Sequence, residues 1–223
     1  MKIIATWSGE GFTAKHVQAL AQQVERFAPL DDFVCLTPVS VSGVECLPLK
    51  HEWRGWWVKF ELFRPDIKGT VLYLDLDTVI TGSLSDIVAV DKLTLLRDFY
   101  RDGKTLYGGI ARRRAPKPEG LQASLMLLPE ADRAEIWEDW MRGPNAHMQR
   151  LGSKGDQPLL EQHFLKHAQR WQDVVPGQIV SWKVDCCGGN EFQVPAIPED
   201  ARVIVFHGQP RPWQCKEFEA LYA

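Results

Sequence analysis

The chain has 223 residues, 45% hydrophobic and 25% charged, which is enough for one α/β domain with a sizeable core, and we expect residues 1–223 to form a single domain. A formal net charge of −3 gives no reason to expect nucleic acid or an anionic membrane as a partner. The start of the chain has no signal-peptide pattern, no apolar run predicts a transmembrane segment, and the five cysteines show no repeated spacing, so we expect a reduced, cytoplasmic protein.

The first part of the chain predicts a β-α-β unit. Residues 2–7 and 33–37 predict strands, and Thr13 is a suitable N-cap for a helix between them whose apolar side chains share one face. Residues 45–48 predict a short third strand. Strands joined by a helix favour a parallel sheet with a right-handed crossover.

Residues 55–63 predict a short helix that ends before Pro65. Trp56, Phe60 and Phe63 are spaced i, i+4, i+7, so we expect them to face the sheet. Lys59 lies within a turn of that face. It either reaches the edge of a ligand pocket or covers an apolar patch with its aliphatic stem.

The most informative stretch is residues 71–78, where four apolar residues lead into Asp75 and Asp77. The apolar run predicts a central strand buried on both faces. Alternate side chains of an extended chain share a face, so both carboxylates can point the same way. Like charges at the end of a buried strand are costly unless a cation binds them, and open α/β sheets bind ligands at this end of their strands. The alternative is a strand that ends in a solvated Asp turn.

The second half of the chain alternates further predicted elements. Strands are predicted at residues 93–97, 123–128, 179–182 and 203–206, with helices at 129–142 and after Asp156 as N-cap. Ile136, Trp140 and Met141 are candidate core residues of the first of these helices. The basic residues 101–120 predict a solvated loop, with a local anion site as the alternative.

The last predicted strand runs into His207. If its end meets that of the Asp75/Asp77 strand, two carboxylates and one imidazole suit Mn²⁺ or Mg²⁺ better than structural zinc. Arg211 stands between two prolines, and its guanidinium matches phosphate oxygens, while Gly208 allows close approach of the backbone to a ligand. The alternatives are a structural histidine at a strand end and a surface arginine without a partner.

These motifs together resemble the GT-A nucleotide-sugar glycosyltransferases, and within them the family 8 group of glycogenin and the lipopolysaccharide galactosyltransferases. The motifs follow the family's order: the opening strand, VKFELF at 58–63, LYLDLDT at 72–78, LQASLM at 121–126, GDQ at 155–157 and HGQPRPW at 207–213. The resemblance implies an α/β fold, a GT-A (Rossmann-like) domain with a mainly parallel central sheet flanked by helices. It also implies metal-dependent transfer of a hexosyl group from a nucleotide-diphosphate sugar, expected to be a UDP-sugar, to a saccharide or other hydroxyl acceptor, with retention of anomeric configuration.

The resemblance also implies roles for individual residues. Asp75 and Asp77 match the DxD motif and, with His207, would hold Mn²⁺ or Mg²⁺. Asp156 and Gln157 match a pair near the anomeric carbon and are, with Lys59, the catalytic candidates. Trp7 would be free to stack on the base, and Arg211 stands where the family usually has lysine. The positions matched to donor binding are Thr6, Trp7, Lys59, Asp75, Leu76, Asp77, Gln122, Ser124, Gly208 and Arg211.

Two other functions remain as alternatives. A haloacid-dehalogenase-type phosphatase also has an apolar strand followed by Asp-x-Asp, with Asp75 as nucleophile and Asp77 as acid/base. Its motif normally lies on the first strand, whereas a β-α-β unit precedes it here. The second alternative is a non-catalytic nucleotide-sugar binding domain.

Overall fold

The computed structural model describes residues 1–99, 119–188 and 194–222. Most of the predicted basic loop, residues 101–118, lies outside the described part of the chain. The strands are β1 Lys2–Thr6, β2 Asp32–Leu36, β3 Glu45–Leu47, β4 Val71–Leu74, β5 Val79–Ile80, β6 Thr94–Arg97, β7 Leu121–Leu128, β8 Gln169–Arg170, β9 Ile179–Ser181 and β10 Val203–Val205. The α-helices are α1 Ala14–Phe27, α2 Ser85–Val88, α3 Ala134–Met141, α4 Pro144–Leu151, α5 Gln157–Phe164 and α6 Trp171–Val174.

The central sheet has seven strands in the order β3-β2-β1-β4-β7-β6-β8. The pairs β2/β3, β1/β2, β1/β4 and β6/β8 are parallel, and only β7 runs against its neighbours β4 and β6. The predicted β-α-β opening is confirmed, with Thr13 at the N-cap position of α1. The predicted α/β fold with a mainly parallel central sheet is therefore also confirmed.

Strand β4 is buried on both faces, as its apolar run predicts. Leu72 and Leu74 pack into the hydrophobic cluster under α1, whereas Val71 and Tyr73 pack into the cluster on the other side of the sheet. Successive side chains point to opposite faces of a strand, so a strand covered on both sides needs an apolar residue at every position. Its carboxyl end delivers Asp75 to the edge of the sheet.

The predicted helix at Gly55–Phe63 forms as a 3₁₀ helix. Phe60 and Phe63 are buried, but Trp56 is 46% exposed, so the prediction that Trp56 faces the sheet is wrong. A 3₁₀ helix repeats every three residues, which puts Trp57 rather than Trp56 in the inward row. The ring centroids of Trp57 and Phe60 lie 6.3 Å apart and those of Phe60 and Phe63 lie 6.0 Å apart.

Helix α3 is shorter than predicted because Glu130–Asp132 forms a separate 3₁₀ turn before it. Ile136 and Trp140 are fully buried, as expected. Met141 is 41% exposed, so its place in the core is wrong: it is one residue, or about 100° of helical rotation, beyond Trp140.

The last predicted strand, β10, is buried but does not join the central sheet. It pairs with β5 and β9 in a separate three-stranded sheet. His207 therefore follows a strand of this smaller sheet and not a strand of the central sheet. Within the described ranges, no helix is both long and apolar enough to cross a membrane.

Candidate functional site

A cleft of about 460 Å³ opens where β1 and β4 end. These two strands pair in parallel, so their carboxyl ends meet at one edge of the sheet. Eight further residues, including Glu10, Phe12 and Trp56, line the cleft. The structure brings together seven of the residues predicted to bind the donor: Thr6, Trp7, Lys59, Asp75, Leu76, Asp77 and Arg211.

Lys59 lies at the centre of a cluster of buried charges. Its Nζ is 3.0 Å from Oδ1 of Asp75 and 3.6 Å from Oδ2 of Asp156. Burial alone would lower the pKa of Lys59, but the carboxylates of Asp156 and Asp75 outweigh it and raise that pKa. Lys59 is therefore a charged group that lines the cleft, and the alternative of a lysine covering an apolar patch is wrong.

Asp156 occupies the N-cap position of α5, as predicted, but its side chain makes no capping hydrogen bond. It turns towards Lys59 and is only 8% exposed. Burial raises the pKa of this carboxyl, the charge of Asp75 adds to the rise, and Lys59 opposes it. The cation of Lys59 thus holds two carboxylates from distant parts of the sequence.

Tyr73 also lines the cleft, although it is not among the site residues predicted from the sequence. Its hydroxyl donates to Oδ1 of Asp75 over 2.5 Å and lies 3.4 Å from the hydroxyl of Thr6. Burial, with the charge of Asp75, raises the pKa of the phenol well above its usual value. The spacing gave a signal, because Tyr73 precedes Asp75 by two residues in extended chain.

Asp98 is a second residue that was missed. It follows β6 and is 2% exposed. The amide nitrogen of Gln157 donates to Asp98 over 3.1 Å and also to the carbonyl of Leu121. A carboxylate directly after a buried strand, the signal that marked Asp75, was also present here.

Arg211 donates to the carboxylate of Asp77, which is 3% exposed. The alternative of a surface arginine without a partner is therefore wrong. Burial lowers the pKa of Arg211, and the nearby charge of Asp75 opposes that effect. The guanidinium also lies 5.7 Å from the ring centroid of Phe12, another residue of the cleft.

The remaining predicted residues, Gln122, Ser124, Asp156, Gln157, His207 and Gly208, are not among the residues that line the cleft. The backbone carbonyl of Ser124 accepts from the amide of Asp75 over 3.0 Å. Gly208 has a φ of +70°, a conformation that favours glycine. Trp7 lines the cleft but is only 8% exposed and belongs to the hydrophobic core. Contrary to the expectation, its ring therefore has little free surface on which a base could stack.

The arrangement does not fit the predicted three-ligand metal site. Asp75 and Asp77 have the oxygen chemistry that Mn²⁺ and Mg²⁺ prefer, but Lys59 and Arg211 already contact them. The imidazole Nδ1 of His207 is 2.6 Å from the side-chain nitrogen of Gln122. Across the described ranges, no group of three or more His, Cys, Asp or Glu side chains is placed to hold a metal ion.

Comparisons with known proteins give similarity in structure only. No protein-family profile matches the chain, and no curated protein matches it in sequence. An active-site mutant of LgtC shares 14% identity at a TM-score of 0.63 over 99% of this chain and 94% of that one. The galactosyltransferase LgtC in complex with donor and acceptor sugar analogues shares 14% identity at a TM-score of 0.50, over 100% of this chain and 95% of that one.

A third similar structure is the glycosyltransferase GlyE of Streptococcus pneumoniae TIGR4, with 15% identity and a TM-score of 0.63. The match covers 99% of this chain but only 59% of GlyE. At such low identity, structural similarity establishes the fold and leaves the activity to be tested. The resemblance predicted from the sequence is confirmed at that level: the chain has the GT-A fold of these glycosyltransferases.

Proposed function

We propose that this protein is a retaining glycosyltransferase that moves a hexosyl group from a nucleotide-diphosphate sugar, with UDP-sugars as the first donors to test, to a saccharide or other hydroxyl acceptor. The observation that carries the proposal is the single cleft in which Lys59, Asp75, Asp77 and Arg211 converge. LgtC, which has the same fold, was crystallised with donor and acceptor sugar analogues.

Lys59 and Arg211, the two cations of the cleft, differ in how well they can bind a diphosphate. When the bond from the sugar to the diphosphate breaks, negative charge develops on the leaving nucleoside diphosphate. Lys59 is committed to Asp75 and Asp156, and its side chain is 14% exposed. The side chain of Arg211 is 30% exposed, and its planar fork matches two phosphate oxygens, so Arg211 is the principal phosphate ligand of the proposal.

The anomeric carbon becomes positively charged as the leaving group departs. In this proposal Asp156 and Gln157, which the resemblance puts near the anomeric carbon, stabilise that charge with a carboxylate or an amide oxygen, as carboxylates do in glycoside hydrolysis. Asp98 and the carbonyl of Leu121 hold the amide nitrogen of Gln157, which directs its oxygen away from these groups. In this proposal Asp98 is a positioning residue.

The proposal keeps a divalent ion only at the two carboxylates, without His207 as a third ligand, and its effect on nucleotide affinity can be measured. Mn²⁺ or Mg²⁺ bound by Asp75 and Asp77 would require Arg211 to leave Asp77. A donor diphosphate gives Arg211 an alternative partner, so nucleotide and ion would bind together. No step of the reaction is assigned to the ion.

Calorimetry with UDP tests the binding part of the proposal. We expect Arg211→Ala to weaken UDP binding at least about tenfold, the loss of one charge-assisted contact, both with Mn²⁺ and with a chelator. Arg142→Ala, with a side chain that is 75% exposed and outside the cleft, is the control. Asp77→Ala should abolish any gain in affinity that Mn²⁺ gives the wild type. Equal UDP affinity in wild type and Arg211→Ala would contradict the proposal.

Product analysis separates the alternatives. Incubation with a panel of UDP-hexoses and methyl glycosides should release UDP and form a new glycoside. Release of inorganic phosphate from a phosphomonoester would support the phosphatase alternative, although the shared fold favours glycosyl transfer. Tight UDP-sugar binding without product would favour the non-catalytic binding domain.

A further inference from the structure

Trp56 is the one exposed tryptophan of the molecule, and it lies in the cleft. All nine tryptophans belong to the described residues, and the other eight are buried or partly buried. Trp56 is 46% exposed and lines the cleft together with Lys59 and Asp75. A single exposed aromatic residue is common on a protein surface, but one that lines a cleft offers an apolar face to a bound ligand.

The indole ring of Trp56 is held flat on the backbone of Gly155. A Cβ built on Gly155 would lie 3.3 Å from each of Cγ, Cδ1 and Cδ2 of Trp56. Equal distances to three ring atoms put that point over the ring plane and not at its edge. One ring face therefore rests on Gly155, and the exposed surface of the ring lies on the opposite face.

The surroundings of that exposed face suit a sugar ring. The axial C–H groups of a pyranose carry partial positive charge and attract the negative face of an aromatic ring. The carboxylates of Glu10 and Asp75 line the same cleft and are acceptors for sugar hydroxyls. A pocket that combines one apolar face with a few hydrogen-bonding groups is typical of specific small-molecule sites.

Gly155 immediately precedes Asp156, the carboxylate assigned above to the anomeric carbon. Trp56 therefore stands at the reacting end of the cleft, whereas the resemblance puts the nucleoside beside Thr6 and Trp7. We propose that Trp56 is the stacking platform for the acceptor saccharide. The proposal rests on the glycosyltransferase function above and adds the residue that selects a ring-shaped acceptor.

The test is saturation-transfer NMR of wild type and variants with UDP present, using a mixture of the methyl glycosides of glucose, galactose and mannose. For wild type we expect saturation transfer to the ring protons of at least one glycoside. Trp56→Ala should bind that glycoside at least about tenfold more weakly, while Trp56→Phe, which keeps an aromatic face, should retain most of the affinity. Met141→Ala removes an apolar side chain of similar exposure, 41%, outside the cleft, and should change nothing.

The affinity for UDP, measured by calorimetry on the same proteins, separates this proposal from the proposed function. Wild type that binds UDP but none of the glycosides, or Trp56→Ala that binds glycoside as wild type does, overturns the platform and leaves the glycosyltransferase function standing. A loss of UDP affinity in Trp56→Ala would make Trp56 a nucleotide contact and also overturns it. Wild type that does not bind UDP removes both proposals.

Discussion

Lys59→Met tests the charge cluster at the centre of the site. Methionine keeps most of the volume of lysine but leaves Asp75 and Asp156 buried without their cation. Removing one partner of a buried ion pair costs about 3–5 kcal/mol of unfolding free energy. Because Tyr73 still donates to Asp75, we expect a loss near the lower end, about 3 kcal/mol.

The sign of the pH dependence follows from the carboxyl groups. Without Lys59, the pKa of buried Asp156 rises further, because burial and Asp75 raise it already and the one opposing charge is gone. A raised carboxyl pKa costs stability only when the group ionises, so the penalty is absent below its ordinary value of 3.8 and grows as the pH rises. The loss in Lys59→Met should therefore be large at pH 7 and smaller at pH 5.

The unfolding free energy should also depend on pH in alkaline solution, where Lys59 loses its proton. The pKa of Lys59 is raised in the fold, so its contribution is complete below its ordinary value of 10.5 and is lost as the pH rises through the folded value. The wild type should thus lose stability in strongly alkaline solution by a step that Lys59→Met lacks.

Urea unfolding of wild type, Lys59→Met and the double variant Lys59→Met/Asp156→Asn measures these differences. The double variant should recover part of the loss, because it removes one of the two stranded charges. Lys15→Met, an exposed position on α1, is the control and should change the unfolding free energy by less than about 0.5 kcal/mol. A loss in Lys59→Met that is the same at pH 5 and pH 7 would refute the charge argument and assign the effect to packing.

Two further substitutions test contacts that support the site. Tyr73→Phe removes the hydroxyl that donates to Asp75, and we expect it to lower the free energy of unfolding in urea by about 1–3 kcal/mol. No change would mean that the contact with Lys59 is enough to stabilise the carboxylate of Asp75. Arg133→Met removes a buried guanidinium that donates to three backbone carbonyls in and after the Gly55–Phe63 helix, and we expect it to lower the unfolding free energy by about 3 kcal/mol. The exposed control Arg142→Met should lower it by less than about 1 kcal/mol, and similar losses in both variants would contradict this assignment.

The local sequence pattern predicted the structure correctly where burial depends on a single strand or on one face of a helix. The run at Val71–Leu74 predicted a strand buried on both faces and placed Asp75 at its end. Pattern failed at Trp56, because the spacing assumed an α-helix and the segment winds as a 3₁₀ helix. Asp98 follows β6 as Asp75 follows β4, but it lacks the second carboxylate two residues later that marks the Asp75/Asp77 pair.

The sequence by itself determined the β-α-β opening and the order of the elements, because each depends on a short-range period or a strand end. Its resemblance to a known family added seven of the fifteen residues that line the cleft. Only the tertiary structure decided which charges meet. Lys59 joins Asp75 and Asp156, and Arg211 takes Asp77, across long stretches of chain. Such pairings depend on how strands and loops converge at one edge of the sheet, and no local pattern encodes that convergence.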